Sequence, residues 1–106
     1  MRRMGPKEVA QLLAADGEPP VLLDVREPWE FEICRIEGSL SVPMGQIPAA
    51  VSRLDPNRET VVICHHGIRS YQVAHYLEQQ GFTRLINLAG GLVAWARGQD
   101  PALQVY

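Results

Sequence analysis

Val21-Leu22-Leu23-Asp24-Val25 is an apolar run with no polar–apolar alternation, and it restricts the fold more than any other stretch. A strand with one wet face alternates, so this run predicts a strand buried on both faces, as in a parallel sheet covered by helices. Three more strands are expected at Ser39-Leu40-Ser41-Val42-Pro43, stopped by its proline, at β-branched Thr60-Val61-Val62-Ile63, and at Arg84-Leu85-Ile86-Asn87-Leu88. Helical patterns separate them. Gly5-Pro6 opens one, with Val9, Leu12 and Leu13 on one face and Gly17 placed to end it. Pro28 starts a short helix through Trp29, Glu30 and Phe31, and Ile47, Ala50, Val51 and Leu54 keep helical spacing with Pro48 early in the helix. Ser70, Val73, Ala74 and Leu77 form an i, i+3, i+4, i+7 stripe capped by Gly81, and Gly90-Gly91 turns into a last helix over Leu92 to Ala96. Strands alternating with short helices predict an α/β fold around a parallel sheet, whose ligands sit outside the carboxyl ends of the strands.

The 106 residues fit one domain, 1–106, with a tail from about Arg97 that has no period and contains Pro101. Ten basic against twelve acidic side chains give a net charge of −2, which supplies no electrostatic case for nucleic acid or a membrane surface. Neither a signal-peptide core nor a membrane span is expected, and the two cysteines, Cys34 and Cys64, are too few for a disulfide framework or a zinc site. The expected compartment is the reducing cytoplasm, with both thiols free.

The strand Thr60–Ile63 ends in Cys64-His65-His66-Gly67-Ile68-Arg69-Ser70, a short loop leading into a helical pattern. That order sets one thiol against the unpaired amides and positive end of a helix start, where an anion is favoured. A thiol whose ordinary pKa is ~8.5 gains thiolate character at helix N-termini and beside cations. Gly67 permits a turn that aims successive amides inward, Arg69 offers a planar fork for sulfonate or phosphate oxygens, and Ser70 can donate into the loop. The expected site is a nucleophilic sulfur in an anion-binding cup. His65 and His66, being adjacent and without an acidic cluster, are read as loop side chains that shape access, with acid–base work open; no metal site is expected. His75 is read as a solvated or packing residue, Cys34 as structural, and Trp29 and Trp95 as packing anchors. Tyr71 either lines the pocket or lies outside it. Asp24 and Arg26 are either catalytic or, preferably, a hydrogen-bonded pair tying the strand end to a neighbouring loop.

The Cys64–Ser70 loop resembles the active-site loop of rhodanese-like sulfurtransferases. Asp24-Val25-Arg26, Trp29-Glu30-Phe31 and Ile36-Glu37-Gly38-Ser39 resemble that family's amino-terminal signature, and Gly90-Gly91-Leu92-Val93-Ala94-Trp95 its carboxyl-terminal one. The similarity runs from about Pro6 to Trp95. One departure is that Cys34-Arg35 stands where many relatives carry Gly-His before the Ile-x-Gly segment. The resemblance implies a central parallel five-stranded sheet with helices on both faces, and hence a further strand near Met1 to Met4. It also implies that Cys64 takes sulfane sulfur from a donor such as thiosulfate as a persulfide and passes it to cyanide or a thiol. The amides of His65 to Ser70 would hold the charge, Arg69 would help bind the donor's sulfonate, and neither metal nor organic cofactor is needed. A sulfur-relay protein is a further partner it allows. Phosphatase or arsenate-reductase chemistry is the competing enzymatic reading, since cell-cycle phosphatases share this fold with a Cys-x5-Arg loop. The spacing here is Cys-x4-Arg, a tighter cup suited to sulfur. A non-catalytic binding module is the third reading, disfavoured by the presence of Cys64.

Overall fold

The computed structural model describes residues 1–106 and contains one five-stranded, wholly parallel sheet in the order β1-β5-β4-β2-β3. The strands are β1 (Arg2–Met4), β2 (Val21–Asp24), β3 (Leu40–Ser41), β4 (Thr60–Ile63) and β5 (Leu85–Leu88). The helices are α1 (Pro6–Ala14), α2 (Pro28–Ile33), α3 (Ile47–Ala50), α4 (Ile68–Gln79) and α5 (Gly91–Gly98). The strand that the family resemblance implied near Met1 to Met4 is β1, paired with β5.

Strand alternation sorts the core into two layers. Leu22, Val61, Ile63, Ile86 and Leu88 join Val9 of α1 and Leu92 and Trp95 of α5 on one face. Leu23, Val62, Cys64 and Leu85 join Ile47 of α3 and Val73, Ala74 and Leu77 of α4 on the other. Every residue of β4 and β5 is buried, as the expectation of a doubly covered sheet requires. Cys64 has the parity of Val62 and therefore faces α4.

Several boundaries differ from the sequence expectation. The strand expected over Ser39–Pro43 pairs only at Leu40 and Ser41; past them the Val42 and Met44 amides still donate to the Asp24 and Val25 carbonyls at 2.9 Å, and Pro43 falls on the open edge, where its missing N–H costs no ladder bond. The helical spacing from Ile47 to Leu54 resolves into one α turn at Ile47–Ala50 and a 3₁₀ turn at Val51–Arg53, with another 3₁₀ turn at Met44–Gln46 leading into it. Ile47 and Ala50 are the two buried anchors of that segment, and Pro48 sits at its start, where the missing N–H costs nothing. The last helix begins at Gly91 and continues to Gly98. No helix is long and apolar enough to cross a membrane.

The turn from β5 into α5 fixes the site. Gly91 has φ +62°, and its Cα lies so close to the β4–α4 loop that a Cβ would be driven into the carbonyl oxygens of Cys64 and His65. That contact permits two hydrogen bonds, from the Leu92 amide to the Cys64 carbonyl at 2.8 Å and from the Val93 amide to the His65 carbonyl at 3.2 Å. Gly91→Ala combines a left-handed backbone with a backbone clash, so we expect it to lose more than about 2 kcal/mol of stability. The check is a urea titration, in which an unchanged midpoint would contradict this packing.

Candidate active site

Cys64 follows the last residue of β4 and is 1% exposed. Its Sγ accepts the Gly67 amide at 3.0 Å and lies 3.3 Å from Ser70 Oγ on the first turn of α4. Gly67 makes this possible: at φ +100° the chain turns left-handed and brings its own amide back onto the sulfur three residues earlier. The carbonyls of Cys64 and His65 point away, toward α5, so the loop offers its donor side to the thiol. Behind Ser70 stands Asn87 of β5, buried on the α4 side of the sheet beside Val62. Its Oδ1 accepts from Ser70 Oγ at 2.5 Å and its Nδ2 donates to the Gly67 carbonyl at 3.2 Å.

A charged network borders the loop. Asp24 and Arg26 are both fully buried, with Arg26 Nη2 2.7 Å from Asp24 Oδ2 and Nε 2.9 Å from Oδ1. Arg26 also donates to the carbonyls of Cys34 at 2.7 Å and Glu30 at 3.3 Å, joining the end of β2 to the middle and the C-terminal end of α2. Its guanidinium stays charged despite the burial that opposes it, because Asp24 and the Tyr106 hydroxyl face it. The geometry is thus a hydrogen-bonded pair that ties the strand end to the following segment.

Arg69 has a partner that sequence reasoning did not supply. Its two terminal nitrogens lie 2.6 and 2.9 Å from the two carboxylate oxygens of Glu30, a fork-to-fork arrangement across α2 and α4. These bonds hold the Glu30 carboxyl down at about 2, with the Tyr106 hydroxyl and the Glu27 amide adding to them against the burial penalty. Tyr106 closes the network: its hydroxyl donates to Glu30 Oε2 at 2.5 Å and accepts from Arg26 Nη1 at 3.0 Å. Burial, followed by the bond to Glu30, pushes the phenol up to about 12, so it remains a donor at any physiological pH. The phenol ring stacks on His65 with centroids 4.4 Å apart. The tail that showed no period therefore returns to the site at its last residue.

His65 and His66 meet edge to face at 4.3 Å. Burial, and then the neighbouring His66, pull the His65 imidazole below its ordinary range, so the neutral ring is favoured beside Tyr106. No three His, Cys, Asp or Glu side chains gather into a group that could hold a metal. Both cysteines are free and buried. Ile68, Tyr71 and Trp29 are all more than half exposed near the loop. Trp29 was expected as a packing anchor. In the six-residue α2 the buried position is taken by Glu30, and Trp29 faces outward with its ring tilted against that of Tyr106, centroids 5.5 Å apart. Trp95 is a buried anchor, as expected.

Glu30, Asn87 and Tyr106 are the contacts that sequence reasoning missed. Asn87 carried a signal, as the single polar residue of an otherwise apolar strand. Glu30 carried a weaker one, a carboxylate between two aromatics at a helix start. Nothing local marks Tyr106.

With fold and site described, the family is clear: residues 5–98 match the Rhodanese-like domain, and the chain belongs to that family. Among its relatives is a sulfurtransferase of Allochromatium vinosum, 45% identical over 83 residues that make up 78% of each chain. The probable adenylyltransferase/sulfurtransferase MoeZ of Mycobacterium tuberculosis is 32% identical over 103 residues, 95% of this chain but only 26% of MoeZ. Among solved structures, a rhodanese-like domain protein from Staphylococcus aureus superposes with a TM-score of 0.85 at 27% identity, covering 100% of this chain and 99% of that one. Tyr106 lies beyond the segment that matches the family.

The Glu30–Arg69 pair gives a pH prediction with a definite sign. The folded carboxyl, at about 2, lies below its ordinary 4.5, so its contribution is complete above pH 4.5 and is lost as pH falls toward 2. At order of magnitude it is worth about 3 kcal/mol. In urea titrations the stability gap between wild type and Glu30→Gln should shrink progressively through that window. A gap independent of pH would show that the pair does not hold the carboxyl down.

Proposed function

We propose that the chain is a sulfurtransferase that carries sulfane sulfur as a persulfide on Cys64. The observation that carries this reading is the Gly67 amide aimed at Cys64 Sγ from 3.0 Å, at the start of α4 in a rhodanese-like chain. A sulfur that becomes an anion, attacks, and then bears a charged outer sulfur needs fixed donors that require no reorganisation during the reaction. Backbone amides at a helix start supply them.

In the proposed reaction the Cys64 thiolate attacks the outer sulfur of thiosulfate, the donor's S–S bond breaks, and sulfite leaves with the bonding pair. The Cys64 persulfide so formed is attacked at its outer sulfur by cyanide or a thiolate. That step yields thiocyanate or a new persulfide and returns the Cys64 thiolate. The amides of His65, His66, Gly67, Ile68, Arg69 and Ser70 form the cup for the outer sulfur. Arg69 borders the cup with both terminal nitrogens held by Glu30. Asp24 and Arg26 support the cup by fixing the end of β2. A phosphoryl-transfer reading asks for a guanidinium fork free to grip three oxygens, and here both terminal nitrogens of Arg69 are taken by Glu30.

A sulfur-relay protein as donor or acceptor is supported by the exposed apolar side chains beside the loop, Ile68 and Tyr71 on α4 and Trp29 on α2. The relatives named sulfurtransferase support the same direction. Cytoplasmic placement fits a site whose chemistry requires a reduced thiol.

Intact mass after incubation with thiosulfate is the test. We expect one added sulfur atom on Cys64, removed by cyanide, and none on Cys64→Ser. A protein that takes up no sulfur from thiosulfate, mercaptopyruvate or a persulfidated protein thiol would overturn the proposal.

A further inference from the structure

We propose that Asn87 is a positioning residue for Cys64, acting through Ser70: it holds the serine's single hydroxyl proton away from the sulfur. The inference rests on the reading of Cys64 as the reactive thiol. It begins with which atoms can donate. The Gly67 carbonyl can only accept, so the group facing it at 3.2 Å is the amide NH₂ of Asn87. The other end of the amide, Oδ1, therefore faces Ser70 Oγ at 2.5 Å. A carbonyl oxygen can only accept as well, so the Ser70 proton lies on that line. Toward Cys64 Sγ, 3.3 Å away, Ser70 then presents a lone pair.

This arrangement suits the protonated thiol, whose S–H donates to Ser70 and completes a chain from Cys64 through Ser70 to Asn87. It opposes the thiolate, which has no proton to give and meets a lone pair. To serve the thiolate, Ser70 must swing its proton to the sulfur and abandon Asn87 Oδ1, which is buried and has no other partner among the hydrogen bonds of the site. No proton is gained or lost by Ser70 in that swing; the thiol proton leaves to solvent. Cys64 thus sits between opposing neighbours. The Gly67 amide favours the anion, and the Ser70–Asn87 pair favours the thiol until a charged sulfur draws the hydroxyl over. The other charged or titratable groups around the loop are Arg69 and Tyr71 of α4, Glu30 of α2, His65 and His66 of the loop, Arg26 and Asp24 after and within β2, Arg97 of α5 and Tyr106 of the tail. None bonds to the Asn87 side chain, whose partners are Ser70 and the Gly67 carbonyl.

The test is a double-mutant cycle read by iodoacetamide alkylation of Cys64, located by peptide mass. For each protein the rate at pH 7 is divided by the rate at pH 10, which cancels differences in access to the buried sulfur. Asn87→Ala frees the Ser70 proton and should raise this ratio about threefold to tenfold, the effect of one hydrogen bond. In a Ser70→Ala background the same substitution should leave the ratio unchanged, because the route through Ser70 is gone. Asn87→Leu, which fills the space, carries the same two expectations should the alanine variant fail to fold. An unchanged or lower ratio on replacing Asn87, or an equal rise without Ser70, would overturn the proposal. The latter would assign Asn87 to holding Gly67 alone. Sulfur uptake from thiosulfate is scored separately. A Cys64 that obeys the cycle and takes up no sulfur would count against the sulfurtransferase reading alone.

Discussion

The close approach of α5 to the β4–α4 loop at Gly91 is the constraint on which the site depends. Without a side chain there, the Leu92 and Val93 amides reach the carbonyls of Cys64 and His65. A peptide unit that turns its carbonyl one way turns its amide the other, so binding those two carbonyls from outside helps present the loop's donors inward. Those two peptide units carry the His65 and His66 amides, and the Gly67 amide of the next unit meets the sulfur directly. Two helix starts thus serve one loop, α5 by holding its carbonyls and α4 by supplying the donors that meet an anion.

Side-chain charge has a different part. Asp24, Arg26, Glu30 and Arg69 form two ion pairs with no net charge between them, bridged by the Tyr106 hydroxyl. A cancelled set of charges orders α2 against β2 and α4. In the proposed reaction, stabilisation of an anionic sulfur accordingly falls mainly on backbone donors, which are fixed by the fold and cost no side-chain ordering. The buried Arg26 also explains why the segment after β2 is ordered although α2 is only six residues long: one guanidinium serves Asp24, two carbonyls and a phenol.

Most of the sheet was legible in the sequence because parallel strands covered on both faces have no polar alternation, and Val21 to Asp24 and Thr60 to Ile63 are of that kind. β1 was legible only through the family resemblance, since Arg2-Arg3-Met4 has no strand pattern of its own. The Cys64 loop was readable because its residues are contiguous: strand end, glycine turn and helix start follow one another along the chain. The partners of that loop were not. Glu30 lies 39 positions from Arg69, and Tyr106 lies 76 from Glu30, and no local periodicity encodes such pairings. Arg69 shows the consequence. Its residue type and place in the loop suggested a free fork for an oxyanion, whereas the fold supplies that fork with a carboxylate of its own.

The central claim is that backbone donors of the β4–α4 loop carry the charge of a sulfur bound at Cys64. A crystal structure of the protein after reaction with thiosulfate tests it most directly. The account predicts one extra sulfur atom on Cys64 Sγ, within hydrogen-bonding distance of amides between His65 and Ser70, with Arg69 still on Glu30. An added sulfur on Cys34, or an outer sulfur on Cys64 held by the Arg69 guanidinium with no amide in reach, would contradict it.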